Sequence, residues 1–133
     1  MFKKFILPVI VIFVAGQIFE GLFHGVLLSG LYQQTLSMWR PKADMDKLMW
    51  IYHVIGLLIS IGFVFIYYKW FTEKNLMKGL YFGLVYGLMQ GLGMGYGMYP
   101  MLPMPYSLAI SWFLGGVVEY VILGLILGLM VKD

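Results

Sequence analysis

Apolar positions fill four long runs of this chain, and the charged positions gather where the runs end. The first run, residues 5–28, follows Lys3 and Lys4; the second spans 49–70, the third 79–98, and the fourth 106–131, before Lys132 and Asp133. Each has about the 20 residues a helix needs to cross the hydrocarbon of a bilayer. The pattern predicts an all-α fold, an integral membrane four-helix bundle, within a single transmembrane domain over 1–133. Pro8 falls in the first turns of helix 1, where it is tolerated. The beginning of this run also has signal-peptide features: two lysines, an apolar stretch, then Ala15-Gly16-Gln17. The apolar pattern continues beyond that point, so the run reads as a retained helix.

The connections have different characters. Residues 29–48 hold Tyr32, Trp39, Arg40, Pro41, Lys42, Asp44, Asp46 and Lys47, an outer interfacial loop, part helical before Pro41, with Trp39 at headgroup level. Lys69, Glu73, Lys74 and Lys78 mark a short polar turn. Between Tyr99 and Pro105, three prolines in six residues forbid a continuous helix.

The third run carries a second pattern. Gly79, Gly83, Gly87, Gly91 and Gly95 recur at every fourth position. In water each would cost a helix about 1 kcal/mol relative to alanine. In lipid the backbone must satisfy its own hydrogen bonds and the helix persists. The spacing leaves a bare groove for close packing of a neighbouring helix. The fourth run has a small-residue face of its own, Ser107, Ser111, Gly115 and Glu119, expected to pack on this groove and carry the carboxylate inward.

Composition strengthens the membrane reading. The chain is 62% hydrophobic and 11% charged, whereas soluble domains carry roughly 25% charged residues. It has no cysteine, which removes disulfides, thiolate metal sites and cysteine nucleophiles. The net charge is +3, and the nine Lys and Arg sit at the ends of the runs. The expected partner is therefore the lipid bilayer and not nucleic acid, with a homo-oligomer or a larger membrane complex left open. Four spans put Lys3, Lys4, Lys69, Lys74, Lys78 and Lys132 on one side, against Arg40, Lys42 and Lys47. That imbalance predicts both termini in the cytoplasm.

Chemistry is sought among the polar residues inside the runs, because intramembrane ionisable groups are costly and face the bundle interior. Four qualify: Glu20, His24, His53 and Glu119, with Gln17 and Gln90 as neutral companions. Glu20 and His24 lie four apart on one helix face. Counting along the helices puts His24 and His53 at similar depth in the outer third, with Gln90 and Met94 reaching the same zone.

Several functions fit these residues. Glu20, His24 and His53 would make a transition-metal site, since imidazole and carboxylate together suit zinc, iron or manganese. Glu-x-x-x-His departs from the Glu-x-x-His of carboxylate-bridged di-iron bundles. Met38, Met45, Met49, Met94, Met98, Met101 and Met104 gather toward the outer side, where thioethers would favour Cu(I) or would simply fill gaps. Alternatively, His24 and His53 would ligate a b-type haem in an electron-transfer subunit, with Arg40, Lys42 or Lys47 meeting its propionates. A third reading is a structural or accessory subunit with no cofactor, its polar groups satisfied among themselves. A proton-coupled or small-solute transporter is the fourth, needing a homodimer because four helices are few for alternating access. An enzyme is disfavoured. Ser29, Ser60, Ser107 and Ser111 lack a histidine or lysine at a defined spacing. Gly91, Gly93 and Gly95 follow no strand and precede no lysine, so they make no phosphate loop.

The strings His24-Gly25-Val26-Leu27-Leu28, Leu31-Tyr32, Thr35 and Met38-Trp39-Arg40-Pro41, with Trp112-Phe113-Leu114-Gly115-Gly116 and Glu119-Tyr120, give most of the chain a resemblance. It resembles small four-helix bacterial inner-membrane proteins of no assigned function. The resemblance implies a multi-pass place in the bacterial inner (cytoplasmic) membrane and the four-helix topology. It implies no activity.

Overall fold

A computed structural model describes all residues, Met1–Asp133. The chain is all-helical, without a strand. Helix α1 is Phe2–Leu27, α-helical over Leu7–Leu22 and π-helical over Phe2–Ile6 and Phe23–Leu27. A short α2, Ser29–Gln34, and a 3-10 turn, Leu36–Met38, follow before Pro41. The long α3 is Lys42–Trp70; α4 is Leu76–Gly91, prolonged by a π-helical turn over Leu92–Tyr96; α5 is Tyr106–Met130. Helices α1, α3 and α5 are each long and apolar enough to cross a membrane. The protein is a helical membrane protein.

Local chemistry sets the boundaries. Pro41 precedes α3 and Pro105 precedes α5, each in extended backbone that starts a helix without a donor to waste. Asn75 caps α4, its side chain accepting the Lys78 amide at 2.9 Å. Helix α3 starts at Lys42, seven residues before the apolar run at Met49, because Pro41 permits the start and Asp44 suits the first turn. The polar stretch Lys42–Leu48 is thus helical, with Lys42 and Asp46 paired at 3.0 Å.

Two contacts organise the helices. The first is the seam between α4 and α5. A methyl group added at Gly79, Gly83 or Gly95 would overlap the carbonyl oxygen of Gly124, Tyr120 or Ala109. At Gly87 it would lie 3.0 Å from the Gly116 oxygen, and at Gly91 2.6 Å from that of Phe113. No glycine has positive φ, so these positions serve close approach and not backbone freedom. The face of α5 that meets them is Ala109, Phe113, Gly116, Tyr120, Gly124 and Gly128. The expected Ser107–Ser111–Gly115–Glu119 face lies one residue away, about 100° around the helix. It turns instead toward α1: the Phe23 ring covers Gly115, and Glu119 Oε1 would be 3.7 Å from a Cβ on Gly16.

The second contact is an aromatic core at the lysine-rich end. Ile12, Phe63, Val64, Tyr67, Tyr120, Leu123 and Leu127 are buried there, with Phe82 and Tyr86 packed alongside. Phe63 stacks on Phe82 at 4.6 Å, and Tyr86 meets Tyr120 at 4.7 Å. The Tyr67 hydroxyl donates to the Asn75 carbonyl at 2.9 Å and accepts the Asn75 amide at 3.1 Å, tying the α3–α4 turn to the core. A smaller cluster, Leu28, Met104, Leu108 and Ala109, closes the opposite end under Trp39 and Trp112, with Met38 and Met98 against it.

Candidate intramembrane polar site

Three helices bring polar side chains to one region. Gln17, Glu20 and His24 occupy a single face of α1, three and four residues apart. Tyr52 and His53 come from α3, and Glu119 from α5. Glu119 is 7% exposed, and its carboxyl faces the Glu20 carboxyl across the contact of α5 with α1. Gly16 gives it room to approach α1. Glu20 Oε2 accepts the Tyr52 hydroxyl at 2.7 Å and lies 2.9 Å from His24 Nε2. No lysine or arginine pairs with either glutamate.

From His24 the network leads toward the outer end. Its Nδ1 hydrogen-bonds the Tyr32 hydroxyl, and the Trp112 indole N–H donates to that same hydroxyl at 2.8 Å. Indole only donates, so the Tyr32 oxygen accepts from Trp112 and its proton points at Nδ1. Nδ1 is then the acceptor and Nε2 carries the proton donated to Glu20. The neighbours thereby select one neutral tautomer of His24. Trp39 donates to Thr35 Oγ1 at 3.0 Å, and its ring meets Tyr32 edge-on at 5.5 Å, closing the site from above. Tyr32 lies in α2, outside the three long apolar helices. Burial, assisted by the charge of Glu20 and opposed by the Trp112 bond, pushes its phenol up to about 12.

The π-helical turn Phe23–Leu27 contains His24, and the Leu28 amide bonds the Phe23 carbonyl at 2.9 Å. Such insertions re-aim side chains and recur at functional sites. Here the turn presents His24 to both Glu20 and Tyr32.

His53 belongs to a different level. Its Nδ1 meets Gln17 Oε1 at 2.7 Å, and Gln17 lies seven residues before His24, about 10 Å along α1. The expectation of equal depth for the two histidines does not hold. Because α3 begins at Lys42, His53 is about three turns inside it and not one. No group of three or more His, Asp or Glu side chains is close enough to hold a metal ion together. Glu20 and His24 are spent on one another, Tyr52 and Tyr32, and His53 on Gln17. The other expected members lie apart. Gln90 reaches only Tyr86 of its own helix, at 3.5 Å, Met94 is exposed, and Arg40 is exposed with no ion pair.

Sequence reasoning passed over Tyr32, Tyr52 and Trp112. Each is an aromatic ring with a polar tip, a type that seeks a partner when buried. That tip is the only signal the sequence offered. Comparison with protein-family models, curated proteins and solved structures finds no match.

Proposed function

We propose that the protein is a proton-linked membrane transport protein whose Glu20–Glu119 pair exchanges a shared proton for a small cation. The observation that carries this is the meeting of two carboxyl groups at the junction of α1, α3 and α5 without a lysine or arginine. A hydrogen bond between two carboxyls requires a proton in it, and like charges so close disfavour double ionisation. A monovalent cation satisfies the pair equally well, its charge matched by two carboxyl groups with no lysine or arginine beside them. His24 and Tyr32 give the proton a hydrogen-bonded route toward the outer end. On the other side lies the aromatic core around Phe63 and Tyr120, so the arrangement supports a site open to one side at a time and not a continuous proton channel.

The wider setting is part of the proposal. Helix α4 with its π-helical turn is read as a fourth span, giving four crossings in a bacterial inner membrane with both termini cytoplasmic. The six lysines at one end, against three basic residues at the other, support that orientation. Metal and haem ligation draw no support from histidines engaged separately at different levels. An accessory-subunit reading is favoured by one feature: the first half of α3 is exposed around its circumference, Trp50 and Leu58 included. A mass in detergent well above one chain, or a co-purifying partner, would support it.

Proteoliposomes with an acidic interior and a pH-sensitive dye test the main reading. Addition of alkylammonium or alkali cations outside is expected to release internal protons with wild type and not with Glu119→Gln. If no cation tried moves protons faster than in empty liposomes, the reading fails.

A further inference from the structure

We infer that the lysine-rich end of the bundle holds a binding site for the phosphodiester headgroup of an anionic phospholipid. A cavity of about 380 Å³ opens there, lined by Lys4, Tyr68, Lys69, Lys74, Lys132 and Asp133. The residues come from separate parts of the chain: the first turn of α1, the last turn of α3, the α3–α4 connection and the residues after α5. Four lysines therefore line one cavity by folding and not by a run of charge in the sequence.

Their partners are few. None of these lysines forms an ion pair; the lysine pairs in the protein are Lys42–Asp46 and Lys78–Glu73. The one acid on the rim, Asp133, turns an oxygen to the Lys74 backbone amide at 2.7 Å. Lys74 Nζ donates to the Phe71 carbonyl at 2.7 Å, which fixes the ammonium while leaving two protons for a ligand. Unneutralised lysines facing a common cavity repel one another, and an anion relieves that repulsion.

Position chooses the anion. The cavity sits where the long apolar helices end. Trp70, which follows Lys69 at the end of α3, is 65% exposed, with Phe65 packed edge-on against it at 5.3 Å, and exposed tryptophan at a helix end marks headgroup level. Phe65 and Ile61 continue an exposed apolar strip along α3 below it, on which acyl chains can lie. A free phosphate would use the charges but not this strip. Basic pockets between helix ends on the cytoplasmic side are suited to anionic headgroups.

Native mass spectrometry of the full chain in mild detergent tests the inference, with phosphatidylglycerol, phosphatidylcholine and inorganic phosphate as separate probes. Phosphatidylglycerol is expected to bind at least about tenfold more tightly than phosphatidylcholine. The preference should disappear in Lys69→Gln/Lys132→Gln and persist in Lys42→Gln/Lys47→Gln, which alters the other end. Should the first double variant not fold, Lys4→Gln on the exposed first turn is expected to weaken the preference several-fold. Equal binding of the two lipids, an unchanged preference in the cavity variants, or displacement of phosphatidylglycerol by millimolar-range inorganic phosphate would each overturn it. None of these outcomes depends on proton–cation exchange.

Discussion

The α4–α5 seam and the α1–α3 contact are both helix pairs between apolar segments, yet they are built on opposite principles. In the seam, backbone meets backbone: Gly87 and Gly91 of α4 touch Gly116 and Phe113 of α5 with no polar side chain between them. In the α1–α3 pair, polar tips meet: Gln17 with His53 and Glu20 with Tyr52, while much of α3 stays exposed. Close backbone approach gains dispersion along the whole length and leaves nothing free to titrate or move. Contacts through tips are fewer and adjustable. The difference marks the seam as the source of stability and, on the proposed function, the looser contact with Glu119 reaching across from α5 as the working part.

The largest effect should come from breaking the seam. Gly83→Leu would push against the Tyr120 carbonyl, which cannot move without its helix. The cost should exceed the roughly 1–3 kcal/mol of ordinary overpacking, read as loss of the cooperative thermal transition in detergent. Gly21→Ala is the control, with nothing within 4 Å of the added methyl, and should be neutral or stabilising by up to about 1 kcal/mol.

Glu119→Gln should invert that outcome. Glutamine keeps the shape and can donate to Glu20, so stability should change by no more than about 1 kcal/mol. Cation-driven proton release should fall at least about tenfold. A variant that unfolds would place Glu119 with the seam and dissolve the distinction.

Trp112→Phe probes the outward relay. Loss of one half-buried donor should cost up to about 1 kcal/mol, and ¹⁵N NMR of His24 should change from a single Nε2–H tautomer to a mixture. A mixture already present in the wild type would contradict the tautomer assignment. Gly56→Ala should be milder, because its methyl would meet Gln17 Nε2 at 2.6 Å, the far end of a flexible side chain that can turn aside at the cost of its bond to His53. Thermal unfolding should shift only slightly.

The smallest effect concerns pH. With the Tyr32 phenol raised to about 12 by burial from an ordinary value of about 10, the folded protein keeps this proton where an exposed phenol loses it. Its contribution to stability is complete below about pH 10 and is lost as pH rises toward 12. An ultraviolet titration difference between wild type and Tyr32→Phe should show a late-ionising tyrosine; one titrating near 10 would mean the hydroxyl is open to water.

Regular features were the legible ones. Apolar runs reveal membrane-capable helices because lipid imposes a minimum length, and glycine at every fourth position marks a groove whatever faces it. Which face of α5 would fill the groove was not legible. Ser107–Gly115–Glu119 and Gly116–Gly124–Gly128 are both small-residue rows, and a single-residue rotation decides between them. The membership of Glu20 and Glu119 was legible from the cost of charge in lipid. Their partners were not, since Tyr52 and Trp112 enter through the register of α3 and α5. The α3 register depends on Pro41 starting the helix seven residues before its apolar stretch, and the aim of His24 on a π-helical turn at Phe23–Leu27 with no residue signature.

The central claim is that Glu20 and Glu119 share one proton. Infrared spectroscopy of the reconstituted protein at neutral pH, wild type against Glu119→Gln, addresses it directly. The account predicts a protonated-carboxyl stretch in the wild type that the variant lacks, because the proton leaves with its pair. No such band in the wild type, or an undiminished band in the variant, would contradict it.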